Sequence, residues 1–208
     1  MTENKKSLAY ICFTLILASV LWYLLFVIKP FNFWIEMSIS IFILILAASF
    51  SKNSIFVFKK IALKDILLGI FSAIVLYAIF YLGNIISGYL FSFKDTEILS
   101  IYNNKAQGNL KLISLLLLLS IGPGEEIYWR GFIQTTLSRI LGENKGYILS
   151  AVLYALVHII TGNFMLVLAA LVCGLYWGWI YKRKQTLTPV IISHALWDLI
   201  IFVLFPLI

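Results

Sequence analysis

Long apolar runs separated by short polar gaps dominate the pattern of this chain. A helix needs about 20 predominantly apolar residues to cross the hydrocarbon core of a bilayer, and the runs are of this order. The pattern therefore predicts about seven transmembrane helices. Their predicted limits are Ser7–Ile28, Phe33–Phe50, Ile66–Phe93, Lys111–Leu141, Gly146–Ile160, Phe164–Tyr181 and Pro189–Ile208.

Composition strengthens this interpretation. Of the 208 residues, 62% are hydrophobic and only 12% are charged, whereas soluble domains carry about 25% charged residues. An ordinary soluble enzyme, a disordered chain and a disulfide scaffold are therefore excluded. The predicted fold is an all-α polytopic transmembrane bundle. Three helices and a polar loop fall within residues 1–110, and the last four helices fall within 111–208.

The net charge of +7 sets an orientation and does not indicate nucleic acid, because the Lys and Arg residues lie in the gaps between apolar runs. Cytoplasmic loops of membrane proteins are enriched in these residues. With the N-terminus inside, the inner loops carry Lys5, Lys6, Lys52, Lys59, Lys60, Lys64, Arg139, Lys145, Lys182, Arg183 and Lys184. The outer loops carry Lys29, Lys94, Lys105 and Lys111. We therefore expect a multi-pass protein of the cell membrane, with the bilayer as its partner, a cytoplasmic N-terminus and an outer C-terminus.

Ionisable residues inside the apolar runs are the candidates for function. A charge near the centre of a bilayer costs at least about 2.5 kcal/mol, so such residues are rare without a purpose. All the clear cases fall in the last four predicted helices. They are Glu125, Glu126, Arg130, His158, His194 and Asp198.

The spacing of these residues predicts contacts between some of them. Residues four apart share a helix face, so Glu126 can pair with Arg130, and His194 with Asp198. Glu125 has no partner at helical spacing and is free to act as a general base. The preceding Gly122-Pro123-Gly124 permits a kink, or a restart of the helix at Pro123.

Structural interpretations of the same residues stay open. Glu126 with Arg130 is compatible with a purely structural ion pair, and His158 with a hydrogen bond to a backbone carbonyl. His194 with Asp198 is compatible with a clamp between helices. The tryptophans of the last four helices are typical of packing or of the membrane interface. The combined set of buried polar groups nevertheless favours a functional site.

The same residues resemble a known family. Residues 125–130 contain EExxxR, residues 154–158 (YALVH) stand where the family has FxxxH, and residues 194–198 match HxxxN/D. In this order they resemble the CPBP family of intramembrane proteases. That family includes CAAX prenyl proteases and bacterial relatives, some of them linked to bacteriocin immunity. The resemblance covers roughly residues 110 to 205 and implies that 111–208 form the protease core.

The resemblance also implies roles. Glu125 would activate a water with help from His158, and Glu126 with Arg130 would support the site. His194 and Asp198 would stabilise the oxyanion or position the water. Tyr154 stands in place of the family's Phe, a conservative change that leaves this chemistry intact. An ionised Asp198 cannot donate a hydrogen bond to an oxyanion, so it would act protonated or through His194.

The metal and the substrate stay open at this point. Glu125, His158 and His194 would suit a catalytic zinc, while a metal-free mechanism based on Glu125 is equally compatible. We predict an endopeptidase that cleaves a peptide or membrane-protein substrate near the cytoplasmic face. One alternative is a non-enzymatic bacteriocin-immunity or scaffold protein. The other is a small proton-coupled transporter that uses the same buried groups as a relay.

Overall fold

The computed structural model describes residues 3–51 and 60–208. Every regular element within these ranges is helical, which confirms the all-α prediction. We number the helices α1 to α8. Their limits are Glu3–Ile28 (α1), Phe33–Ser49 (α2), Leu63–Leu90 (α3), Lys94–Tyr102 (α4), 110–141 (α5), Glu143–Thr161 (α6), Phe164–Lys184 (α7) and Thr188–Leu204 (α8).

Each predicted span corresponds to one helix, with limits that agree to within a few residues. In the described part of the chain, α1, α3, α6 and α7 are long and apolar enough to cross a membrane, and α2 and α8 are shorter apolar helices. The protein is therefore a helical membrane bundle, and the number of seven spans stays a prediction. The division of the chain at residue 110 and the orientation in the membrane also stay predictions. Two of the lysines on which the orientation rests, Lys52 and Lys59, lie outside the described residues.

Helix α4 lies in the polar stretch between the third and fourth predicted spans, where the apolar pattern gave no helix. Side-chain hydrogen bonds hold it at one end of the bundle. The Asn163 side chain donates to the Glu97 carbonyl (2.8 Å), and the Glu97 carboxylate accepts from the Met165 backbone N–H (2.8 Å). In the turn after α4, the Asn104 carbonyl accepts from the Trp34 indole (2.9 Å). This segment therefore links α2 to the start of α7.

Helix α5 carries the motif EExxxR and packs closely against its neighbours. A Cβ atom on Gly122 would lie 2.9 Å from the Ala195 backbone of α8. A Cβ atom on Gly124 would collide with the side chain of Ile41 on α2. Both glycines therefore allow close helix crossings, which bring α5 within hydrogen-bonding range of groups on α8.

Candidate active site

The two glutamates lie on a short α-helical segment of α5, Gly122–Glu126, between two wide turns with i→i+5 hydrogen bonds at Leu117–Ile121 and Ile127–Gln134. Pro123 lacks an N–H and would crowd the carbonyl one turn earlier in a regular helix. The wide turn before it relieves this conflict, since the Gly122 N–H bonds to the Leu117 carbonyl. The helix therefore continues through Gly-Pro-Gly and does not restart there.

Three side chains form what we call the Glu126 cluster: Glu126, Arg130 and His194. Arg130 Nη1 donates to Glu126 Oε1 at 2.8 Å, as the i, i+4 spacing predicted. His194 Nδ1, from α8, donates to the same oxygen at 2.7 Å. Glu126 is completely buried, and Arg130 is 2% exposed. A buried carboxylate is tolerated when cationic or polar donors compensate its charge, and this cluster supplies two.

The remaining donors of Arg130 reach helix α7. Its Nη2 lies 3.2 Å from the Cys173 carbonyl and 3.4 Å from the Gly174 carbonyl. The guanidinium also lies 5.1 Å from the ring centre of Tyr154 and 5.5 Å from that of Trp177, distances at which cations attract aromatic faces. Arg130 therefore ties three helices together around one buried charge.

The other ring nitrogen of His194 faces Asp198. His194 Nε2 lies 3.6 Å from Asp198 Oδ2, which is longer than a hydrogen bond. The imidazole stacks on Trp177 with 3.8 Å between ring centres, and the Trp177 indole donates to Ser193 Oγ at 3.0 Å. Glu126 and Trp177 thus orient His194, and Asp198 lies within ion-pair distance of its other ring nitrogen.

The second group of side chains, which we call the Glu125 arm, consists of Glu125, Tyr154, His158 and Trp22. The Tyr154 hydroxyl donates to Glu125 Oε2 at 2.5 Å. The Tyr in place of the family's Phe therefore adds a contact that the sequence did not predict, because its hydroxyl binds the predicted general base. His158 Nδ1 lies 2.7 Å from the Tyr154 carbonyl, and Trp22 Nε1 donates to His158 Nε2 at 3.0 Å.

The structure brings the six predicted residues into one buried region, since α5 supplies Glu125 and Glu126 as neighbours. Each of the six is at most 5% exposed. Sequence reasoning missed three residues of this region: Trp22, Tyr154 as a hydrogen-bond donor, and Trp177 as the ring under His194. Trp22 lies in an apolar run of α1, where tryptophan is typical of packing, so its position carried no distinguishing signal.

A zinc held by Glu125, His158 and His194 does not fit this arrangement. Both ring nitrogens of His158 already bond to protein groups, and Nδ1 of His194 bonds to Glu126. Within residues 3–51 and 60–208, no three His, Cys, Asp or Glu side chains lie close enough together to hold a metal ion.

Fold and site together define a class: a helical membrane protein with a buried cluster of carboxylates, an arginine and histidines. Comparison with family models makes this class specific. Residues 107–200 match the family described as "Type II CAAX prenyl endopeptidase Rce1-like". This confirms the predicted resemblance and assigns the region, slightly less than half of the chain, to a family of peptide hydrolases. Neither the curated proteins nor the solved structures include a match to this chain.

Proposed function

We propose that this protein is an intramembrane endopeptidase in which Glu125 activates the attacking water. The observation that carries the proposal is the environment of Glu125. It is buried and lies inside the family-matched region. Among the described residues it has one hydrogen-bond donor, the Tyr154 hydroxyl, on Oε2. Its second oxygen is thus left to accept a proton, as a general base requires.

The reaction then balances without other groups. Glu125 takes a proton from water as the water oxygen bonds to the carbonyl carbon of the scissile peptide. A tetrahedral oxyanion forms. The C–N bond breaks when the intermediate collapses, and the leaving nitrogen takes the proton back from the Glu125 carboxyl. The products are a carboxylic acid and an amine, and Glu125 returns to its starting state.

The Glu126 cluster supports this chemistry from the neighbouring position. Arg130 and His194 fix Glu126, so the backbone that carries Glu125 is also fixed. His194 Nε2 is held 3.6 Å from Asp198, so it keeps hydrogen-bonding capacity for a third group. We assign it to the oxyanion, in an imidazolium that carries a proton on each ring nitrogen, with Asp198 acting through the imidazole because an ionised carboxylate is an acceptor only. Both ring nitrogens of His158 are engaged, so it assists by holding Tyr154 and through it Glu125.

Comparative peptidomics of cells that carry the wild-type protein or Glu125→Ala tests the proposal. We expect at least one peptide or membrane-protein fragment whose release needs Glu125, while both proteins insert equally. Synthetic substrates with and without a prenyl group then define the substrate class, since the family name refers to prenylated proteins. An unchanged set of peptides in the variant would contradict the peptidase and favour an immunity, scaffold or transport role.

We further propose that cleavage takes place near the cytoplasmic face and needs no metal. A C-terminal tag cleaved only by protease added from outside would support the orientation, and cleavage from the cytoplasmic side would refute it. Purified protein freed of metal should keep its peptidase activity. Activity that chelation abolishes and zinc restores would show that the His158 contacts described above rearrange to bind a metal.

A further inference from the structure

We infer that Trp22, on helix α1 and outside the family-matched region, is a positioning residue of the active site that fixes the tautomer of His158. The inference rests on the proposed function for its meaning in catalysis. The contact itself is a property of the structure. Trp22 is fully buried, and its indole N–H lies 3.0 Å from His158 Nε2.

The two partners of His158 determine where its proton lies. A backbone carbonyl only accepts hydrogen bonds, so the Tyr154 carbonyl, 2.7 Å away, requires a proton on Nδ1. An indole N–H only donates, so Trp22 requires a lone pair on Nε2. Both requirements are met by one species, the neutral imidazole protonated on Nδ1. With both partners in place, neither the other tautomer nor the imidazolium fits.

Ring geometry reinforces this arrangement. The Trp22 and His158 rings meet edge to face at 88°, with 5.8 Å between ring centres. The Tyr154 and His158 rings meet at 85°, with 5.1 Å between ring centres. The imidazole is therefore held between two aromatic rings as well as between two hydrogen bonds, which restricts its rotation.

Three hydrogen bonds connect Trp22 to the proposed base through His158 and Tyr154. Trp22 donates to His158, His158 donates to the Tyr154 carbonyl, and the Tyr154 hydroxyl donates to Glu125. Without the indole, His158 can shift its proton to Nε2 and lose its bond to Tyr154. The Tyr154 backbone and ring would then be less firmly held, and so would the carboxylate. Trp22 thus makes the N-terminal helix part of the catalytic apparatus.

The experiment uses the fact that the chain has only two histidines. In full-length protein labelled with ¹⁵N-histidine, the ring nitrogens of His158 and His194 give four signals, which His158→Asn assigns. We expect wild-type His158 to show the Nδ1-protonated form alone. We expect Trp22→Phe, which keeps a ring but removes the N–H, to show a mixture of tautomers and about tenfold lower kcat/KM.

Trp34→Phe is the matched control, since it also removes a buried indole donor, but from the Asn104 carbonyl. It should leave the His158 signals and kcat/KM unchanged. Unaltered His158 signals in Trp22→Phe would overturn the inference, as would an equal loss of activity in both tryptophan variants. The tautomer is read without substrate, so a failure of the proposed peptidase activity would appear separately, as an inactive wild-type protein.

Discussion

Glu125 and Glu126 are consecutive residues with opposite surroundings. In the Glu126 cluster, two side chains that can carry positive charge bond to one carboxylate oxygen, at 2.8 and 2.7 Å. In the Glu125 arm, a neutral hydroxyl is the donor, and the groups behind it are a neutral imidazole and an indole. Adjacent residues of a helix point in directions about 100° apart, so each glutamate faces different helices.

This difference indicates that Glu126 stabilises the helix bundle and that Glu125 carries out the chemistry. Arg130 and His194 both bind the Glu126 carboxylate, so the Glu126 cluster is suited to holding helices α5, α7 and α8 together. Glu125 receives one hydrogen bond, from a neutral hydroxyl, and we therefore assign proton transfer to Glu125. The comparison can be tested by changing one group at a time.

Glu125→Gln should have the largest effect, on activity alone. The amide still accepts from Tyr154 but cannot take a proton from water, so we expect kcat to fall by about 10²–10⁴-fold. The melting temperature in detergent should change little. Glu126→Gln is the matched control and should lower the melting temperature clearly. If Glu125→Gln retained wild-type turnover of a peptide identified by peptidomics, the assignment of the base would be wrong.

Arg130→Met should have the largest effect on stability. It leaves Glu126 buried with one partner and removes the contacts to α7, a type of change that costs about 3–5 kcal/mol. Chemical denaturation monitored by tryptophan fluorescence measures the free energy of unfolding. Lys184→Met, an exposed residue at the end of α7, should change it little. Equal stability of the two variants would show that the ion pair does not hold the bundle.

Tyr154→Phe should have an intermediate effect. It removes the hydroxyl from Glu125 and leaves the ring against Arg130. We therefore expect kcat/KM to fall by roughly five- to tenfold with an unchanged fold. Tyr147→Phe, which removes another α6 hydroxyl, from the Leu175 carbonyl on α7, controls for the loss of one hydrogen bond. Identical kinetics for Tyr154→Phe and wild type would mean that the hydroxyl does not influence the base.

Gly124→Ala should change the difference between the two glutamates least, since it acts on both of them through the backbone. The added methyl group collides with Ile41, and overpacking of this kind costs about 1–3 kcal/mol. The melting temperature should fall. Ile41→Ala removes the Cγ2 methyl group that the new Cβ would meet, so the double variant should lose less melting temperature than the two single variants together. Strictly additive losses would show that α5 and α2 do not meet as closely as described.

The sequence predicted contacts within one helix better than contacts between helices. Glu126 with Arg130 follows from helical spacing, and the structure confirms the pair. His194 and Asp198 have the same spacing and lie 3.6 Å apart as an ion pair, but the shorter contact of the imidazole, at 2.7 Å, is with Glu126 on another helix. The helix limits follow from apolar run length alone. Helix α4 was missed because it is held by polar contacts and not by an apolar face.

Long-range contacts were beyond the sequence for a physical reason. Trp22 and His158 are 136 positions apart, and nothing in either run specifies that α1 packs beside α6. In an apolar chain, nearly every helix face is compatible with a buried environment, so hydrophobic periodicity does not select neighbours. The partner of the Tyr154 hydroxyl could not be predicted for the same reason, since it depends on how α6 is rotated against α5.

The wide turns of α5 have a consequence for sequence comparison. An i→i+5 turn contains one residue more than an α-helical turn, so residues 127–134 behave like a helix that has absorbed an insertion. Related chains can therefore differ in length by one residue within this stretch and still place Leu141 at the end of a continuous helix. An alignment that forbids gaps inside helices would shift everything after this stretch by one position. A gap placed between Arg130 and Gln134 would keep both the motif EExxxR and the following helix in register.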